Sequence, residues 1–140
     1  MKLSLPTEHF RMCDASAGVA LPSGLFVVGN DEDNRLRTYL AAASGQPISE
    51  EADLSCELVT GGDECDIEGC ATVGDPAEGG VTYWITSHGR DKHGVERKER
   101  CRFFATRFTE ASGAWQVAIV GAPWHSLLEE MVRWGRHPGL

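Results

Sequence analysis

Residues 66–90 read DIEGCATVGDPAEGGVTYWITSHGR, and this stretch decides the fold. An Asp and a Gly introduce a short apolar run at 67–73, and the β-rich run VTYWIT follows at 81–86. Between them, DPAEGG at 75–80 predicts a tight connection, because Pro presets φ and Gly accepts positive φ. The polar exit SHGR at 87–90 predicts a loop. The stretch therefore predicts an antiparallel hairpin with polar residues at one end.

The same order of features occurs once upstream. Asp14 is followed by a short apolar run at 17–21, a Pro-Ser-Gly turn at 22–24, an apolar run at 25–28, a polar loop at 29–34 and an alternating run at 35–40. Alternation in the last run places Leu36, Thr38 and Leu40 on one face and predicts a half-exposed strand. Residues 52–59 also alternate and predict a fourth strand, with a short helix as the alternative.

These runs form an internal repeat with a period of about 50 residues, with unit one at 14–59 and unit two at 66–121. Runs at 101–108 and 115–120 complete the strands of the second unit. Four short strands at this period are typical of β-propeller blades. We therefore expect one all-β domain over residues 1–140, built of antiparallel meander repeats as two β-propeller-like blades. Because two blades do not close a ring, a sandwich-like pair of sheets and association of copies are the alternatives.

The C-terminal region changes its period and predicts an α-helix over residues 124–134. Apolar residues recur there at i, i+3, i+4, i+7 and i+8, namely at Trp124, Leu127, Leu128, Met131 and Val132. Ser126 and Glu129 have the spacing of a capping box. We expect the apolar stripe to cover a sheet face or edge, with a partner surface as the alternative.

Composition restricts the classes of partner and the compartment. The formal net charge is −8, and a phosphate backbone would be repelled by such a chain, so we expect no nucleic-acid partner. No apolar run approaches the roughly 20 residues that span a bilayer, so we expect no membrane partner. The N-terminal residues lack the apolar run of a signal peptide, which predicts a cytoplasmic protein.

Five cysteines are present, and the odd number without a signal peptide argues against a disulfide framework. Cys65 and Cys70 are separated by four residues, which is wider than the usual spacing of structural zinc ligands. We therefore expect buried or incidental thiols rather than a zinc site.

Polar residues gather where loops leave the predicted strands. If these loop ends meet, carboxylates held together would raise each other's pKa or recruit a hard cation such as Ca²⁺ or Mg²⁺. The candidate metal ligands are Asp31, Asp33, Asp66 and Glu68. The candidate catalytic residues are His88, Arg90 and Glu68. The structural alternative is that Asp14 and Asp66 only stabilise turns through their carboxylates.

Three hypotheses of function follow from these residues. The first is an acidic loop edge that binds a small ligand or a divalent cation. The second is a metal-assisted phosphoester or ester hydrolase, with His88 as base and Arg90 binding an anionic group of the ligand. The third is an inactive fragment that self-associates through exposed strand edges.

The chain also resembles a known family. The segments that carry the likeness are DASAGVAL at 14–21, DEDNRLRTY at 31–39, DIEGCATV at 66–73 and YWITSHGRDKHG at 83–94. They resemble the bacterial domain-of-unknown-function 3616 family, which looks propeller-like and distantly similar to esterase-like phytase domains. The resemblance implies that this chain covers about two blades of a longer propeller. It implies no settled activity.

Overall fold

The computed structural model describes residues 6–48, 52–111 and 114–136. Within these ranges the chain forms eight β-strands in two antiparallel sheets, followed by one α-helix. The elements are β1 (Ala15–Leu21), β2 (Leu25–Asn30), β3 (Arg35–Leu40), β4 (Ala52–Asp53), β5 (Ile67–Val73), β6 (Val81–Thr86), β7 (Phe103–Ala111), β8 (Ala114–Ile119) and α1 (Leu127–Gly135). The predicted repeat units also contain residues 49–51 and 112–113, which lie outside the described ranges.

Each sheet is a four-stranded meander in which every strand pairs with the next in sequence. This confirms the prediction of an all-β chain of antiparallel meanders with one C-terminal helix. The two sheets also share a local detail, because the pairing register shifts between Ala15 and Ala17 in the first sheet and between Ile67 and Gly69 in the second. The second sheet therefore repeats the first in strand order and in the irregular start of its first strand.

The two sheets pack against each other through their first strands, β1 and β5. Ile67 is fully buried, and a Cβ atom on Gly29 would lie 3.1 Å from its Cγ2 atom. The Ser16 hydroxyl donates to the Ile67 carbonyl oxygen, and the Cys70 thiol donates to the Gly18 carbonyl oxygen over 3.3 Å. These contacts bring the loop after β2 and the start of β5 to the same end of the molecule.

The apolar core lies between the sheets, and the second sheet contributes its largest rings. Trp84 and Phe104 stack with their ring centroids 6.3 Å apart. The Trp84 indole Nε1 donates to the Thr106 hydroxyl over 2.8 Å, so this buried donor is satisfied inside the core. The hydroxyls of Thr72 and Thr82 lie 2.9 Å apart on the same face. Threonine thus brings both β-branched packing and hydrogen-bonding partners to this sheet.

The prediction that β3 is half exposed is wrong, because both of its faces are covered. Arg37 and Tyr39 are buried. The segment before β1 supplies the cover, since the His9 ring lies edge-on to the rings of Phe26 and Tyr39 at 5.0 and 5.1 Å. The Tyr39 hydroxyl also donates to the Phe10 carbonyl oxygen over 2.8 Å. Residues 6–12 therefore belong to the folded unit and close part of the outer face of the first sheet.

The predicted fourth strand at 52–59 is reduced to the two residues of β4. A turn follows, in which the Leu58 N–H donates to the Leu54 carbonyl oxygen over 2.9 Å. The buried Arg102 side chain holds this turn, because its Nε donates to the Leu58 oxygen over 2.7 Å and its Nη2 to the Val59 oxygen over 3.1 Å. The region thus contains both a minimal strand and one helical turn.

The predicted C-terminal helix is confirmed, but α1 begins three residues after the predicted start. Trp124 instead pairs with Phe103, with N–H to oxygen distances of 2.7 and 2.9 Å. The Ser126 hydroxyl accepts from the Trp124 indole over 2.9 Å and makes no capping bond, so the predicted capping box with Glu129 does not form.

No described residue of α1 is buried, so the expectation that its stripe covers a sheet is wrong. Leu128, Met131 and Trp134 are each more than half exposed. Among the residues that the structure describes, no helix has the length and apolar character needed to cross a membrane.

The outer face of the second sheet is also left uncovered. Val73 is 66% exposed, and Tyr83 and Ile85 are each 39% exposed. The Tyr83 ring stacks on Phe103 with a centroid separation of 5.9 Å. The second sheet therefore presents an apolar outer face to solvent. In the first sheet, residues 6–12 cover part of the outer face.

Candidate functional site

Three of the predicted acidic residues meet where the loop after β2 approaches the start of β5. We call Asp31, Asp66 and Glu68 the acidic edge. Burial raises the pKa of Glu68, and the negative charges of Asp66 and then Asp31 raise it further, while Arg100 opposes them. The charges of Asp66 and Asp31 therefore both act on the Glu68 carboxyl. The structure therefore brings Asp31 near residues that lie 35 and 37 positions later in the sequence.

Asp66 is the one carboxylate of the acidic edge with a basic partner recorded among the described residues. Its Oδ2 lies 2.8 Å from Arg100 Nη1, and Arg100 Nη2 lies 2.5 Å from Glu64 Oε1. The Asp66 backbone has a φ of 63°, and its carbonyl oxygen accepts from the Ser87 N–H over 2.9 Å. Aspartate tolerates this left-handed conformation better than most residues. Asp66 thus shapes the turn with its backbone and neutralises Arg100 with its side chain.

Asp33, the fourth predicted metal ligand, is held by an arginine from its own hairpin. Arg37 Nη1 and Nη2 contact the two carboxylate oxygens of Asp33 at 3.0 and 2.6 Å. The Arg35 N–H also donates to Asp33 Oδ1 over 3.0 Å. Because a bidentate pair of this kind occupies both oxygens, Asp33 has a structural role in the loop.

Asp31, in contrast, retains an oxygen without a partner. Its Oδ1 is buried and has no hydrogen-bond partner among the described residues. A buried carboxylate oxygen normally has a partner, because leaving it without one costs desolvation free energy. Asp31 and Glu68 are therefore the two carboxylates of the acidic edge without a basic partner among the described residues.

Asn34 holds the loop next to β5 and was not recognised from the sequence. Its Nδ2 donates to the Thr60 hydroxyl over 3.0 Å and to the Asp63 carbonyl oxygen over 2.8 Å. Its Oδ1 accepts from the Cys65 N–H over 2.7 Å. The buried Asn34 side chain therefore ties the loop after β2 to the connection that enters β5.

His88 and Arg90 lie beyond the end of β6 and differ in environment. His88 Nδ1 lies 2.8 Å from the Thr86 carbonyl oxygen, which can only accept, so Nδ1 carries a proton. His88 Nε2 is buried and has no partner among the described residues. Arg90 is exposed and donates from Nη1 to the Gly94 carbonyl oxygen over 2.9 Å, within its own turn. The arginine that contacts the acidic edge is Arg100, not Arg90.

No three His, Cys, Asp or Glu side chains within residues 6–48, 52–111 and 114–136 are grouped so as to hold a metal ion. Two of the four predicted ligands, Asp33 and Asp66, contact arginines instead. Burial raises the pKa of Cys65 to about 12, which keeps this thiol protonated and unreactive at neutral pH. The predicted metal ligands that remain without an arginine are Asp31 and Glu68.

Arg100 was not identified from the sequence as the arginine that contacts the acidic edge. The signal that locates it is the β6–β7 hairpin, in which the Thr86 N–H donates to the Arg102 carbonyl oxygen over 3.1 Å. Residues that directly follow the first strand of a hairpin lie opposite residues that directly precede the second strand. Arg100 therefore lies beside the end of β6, where Asp66 also lies.

Neither a family model, nor a curated protein, nor a solved structure matches this chain. The resemblance to the domain-of-unknown-function 3616 family stays a prediction. We therefore infer the function from the contacts, burial and charge of the residues at the acidic edge.

The raised pKa of Glu68 predicts how stability depends on pH. At a pH above that pKa, Glu68 is ionised, and its burial and the neighbouring negative charges destabilise the folded state. At a pH below it, protonation of Glu68 removes this destabilisation. Glu68→Gln should therefore raise the free energy of unfolding at pH 7, by up to about 1 kcal/mol for a solvent-screened charge. The difference from the unsubstituted protein should vanish as the pH falls below about 4.

Urea denaturation at several pH values measures this difference in metal-free buffer. Glu57→Gln is the matched control, because Glu57 is exposed in the turn after β4 and lies outside the acidic edge. A Glu68→Gln protein that is less stable than the unsubstituted protein at pH 7 would contradict the repulsion.

Proposed function

We propose that the chain is a ligand-binding module whose acidic edge takes up a divalent cation, Mg²⁺ or Ca²⁺. The observation that carries this proposal is the Asp31 Oδ1 atom, which is buried without a partner among the described residues. Burial raises the pKa of the Glu68 carboxyl, and repulsion from Asp66 and Asp31 raises it further. A divalent cation would relieve that repulsion, since hard cations prefer carboxylate oxygens. The chain as a whole, with a net charge of −8, attracts cations over longer distances.

Asp31 and Glu68 are the proposed ligands within the acidic edge. Asp31 Oδ1 is buried without a partner among the described residues, whereas Asp66 already contacts Arg100. Magnesium commonly binds through one or two carboxylates and retains several waters, so two ligands are chemically sufficient for weak binding. Arg100 then has a positioning role, because its ion pair holds the Asp66 carboxylate.

We also propose that the two sheets are β-propeller-like blades. Both are four-stranded meanders with the same strand order, and their first strands lie side by side. Asp14 and Asp66, which precede these strands, both have positive φ, 43° and 63°. Neighbouring blades stack in this way around an axis, where the loop ends of successive blades converge.

We do not extend the proposal to hydrolysis. The hydrolase hypothesis requires an arginine that binds the anionic group of the ligand. Arg90 instead contacts Gly94 in an exposed turn. The hypothesis also requires an accessible base, and His88 Nε2 is buried. Cation binding needs neither residue.

Divalent cations should raise the melting temperature of the protein, because a ligand that binds only the folded state stabilises it. About 10 mM MgCl₂ or CaCl₂, compared with NaCl of equal ionic strength, is sufficient for a millimolar site. Asp31→Asn and Glu68→Gln should each abolish the shift, whereas Glu57→Gln should keep it. The metal should therefore reverse the stability order of the unsubstituted and Glu68→Gln proteins.

Differential scanning calorimetry measures these shifts. Equal melting temperatures in the divalent and sodium salts would refute the cation proposal. A divalent shift that survives both Asp31→Asn and Glu68→Gln would place any bound cation elsewhere.

A second candidate is self-association, and it is favoured by the uncovered outer face of the second sheet. This face carries Val73, Tyr83 and Ile85, and exposed apolar patches of this kind commonly mark interaction sites. Residues 6–12 cover part of the outer face of the first sheet, so the outer faces of the two sheets are not equivalent. We therefore propose a closed twofold dimer through the second sheet rather than association through strand edges.

Ile85→Lys should convert a dimer to a monomer, because a lysine on this face would be desolvated in both copies. Sedimentation velocity from about 1 to 100 µM covers the range expected for a modest interface. Val95→Lys is the control, since Val95 is also exposed but lies in the turn after Arg90. A monomer throughout this range, or a dimer that Ile85→Lys leaves intact, would refute this candidate.

A further inference from the structure

A concave region lies at the end of the sheets away from the acidic edge. The strand registers place Leu21 beside Leu25 and Val73 beside Val81 at this end, whereas Asp14 and Asp66 precede the other ends of β1 and β5. Two cavities of 330 and 210 Å³ open here between the sheets. The larger has the size of a small ligand pocket. We call the two cavities together the distal cleft.

Glu110 and Trp115 line both cavities of the distal cleft. They are directly opposite each other in the β7–β8 ladder. Directly opposed residues of an antiparallel pair project to the same face with their Cβ atoms about 4.5–5.5 Å apart. The carboxylate and the indole therefore stand side by side at the centre of the cleft.

The remaining walls of the distal cleft are apolar or uncharged. Pro22 and Pro76 bring the turns of the two sheets together at the larger cavity, and Phe108 contributes a buried ring. Leu25 and Ile48 line the smaller cavity. Among the described lining residues, Glu110 is the single charged side chain, and it has no ion pair with any described residue.

We propose that the distal cleft binds a small organic cation of the quaternary ammonium type. The electron-rich face of an indole attracts such cations, and the neighbouring carboxylate supplies the opposite charge. Methyl groups on nitrogen need no hydrogen-bond acceptors and suit the proline and phenylalanine walls. An anion would be repelled by Glu110, and a neutral apolar ligand would bury this carboxylate without a partner.

This site is independent of the acidic edge. A divalent cation requires several oxygen ligands, and the distal cleft offers one carboxylate. A quaternary ammonium ion gains little from the acidic edge, because none of the residues that define it is aromatic. The two proposals can therefore fail separately.

Choline and its uncharged isostere 3,3-dimethylbutan-1-ol test the proposal directly, since they differ in the central atom and its charge. Titration of the full chain, followed by the indole N–H signals in ¹H–¹⁵N spectra, should show choline shifting the Trp115 signal. The Trp115 signal is assigned as the one lost in Trp115→Leu. The uncharged isostere should bind at least about tenfold more weakly, since it lacks the charge that both Glu110 and the indole attract.

Two variants and two controls locate the binding. Glu110→Gln and Trp115→Leu should each weaken choline binding by about tenfold. Glu57→Gln and Trp134→Leu, at exposed positions outside the cleft, should not change it. Equal binding of choline and its isostere, no Trp115 shift at about 50 mM choline, or binding indifferent to both cleft variants would each overturn the proposal.

Discussion

The contact of Ile67 with Gly29 positions the second sheet against the first. Gly29 lies in β2, an inner strand of the first sheet, and a Cβ atom there would lie 3.1 Å from Cγ2 of Ile67, which is fully buried. Because the buried Ile67 side chain packs this closely on β2, it determines where β5 lies against the first sheet. Asp66 and Glu68 flank Ile67 in sequence and are carried with it to the loop that contains Asp31.

Arginines determine which acidic residues remain unneutralised at that end. Arg37 neutralises Asp33, and Arg100 contacts both Asp66 and Glu64. Asp31 and Glu68 are the carboxylates of the acidic edge without an arginine contact among the described residues, and the proposed cation site is therefore built on these two.

Local sequence patterns predicted the strands well and the contacts between distant segments poorly. The runs at 35–40 and 81–86 coincide with β3 and β6, because apolar character and turn residues are local signals. The cover of β3 by His9 was missed, since nothing in either segment identifies the other. The exposed stripe of α1 was missed for a related reason, because a helical pattern indicates an apolar face but not what packs on it.

At the candidate site, too, the sequence indicated the acidic residues better than the contacts that they make. Asp31, Asp66 and Glu68 were predicted because a loop that leaves a second strand and the start of a first strand were expected to meet, and the loop after β2 does approach the start of β5. Arg90 was assigned from the sequence to an anionic group of the ligand, and Arg100, which contacts Asp66 because hairpin closure brings it there, was not identified. A carboxyl NMR titration of Glu68 in the unsubstituted and Asp31→Asn proteins tests the central claim most directly. We predict a Glu68 pKa above its value in the unfolded chain, lowered by Asp31→Asn. A pKa at or below the unfolded value and unchanged in Asp31→Asn would contradict the acidic edge.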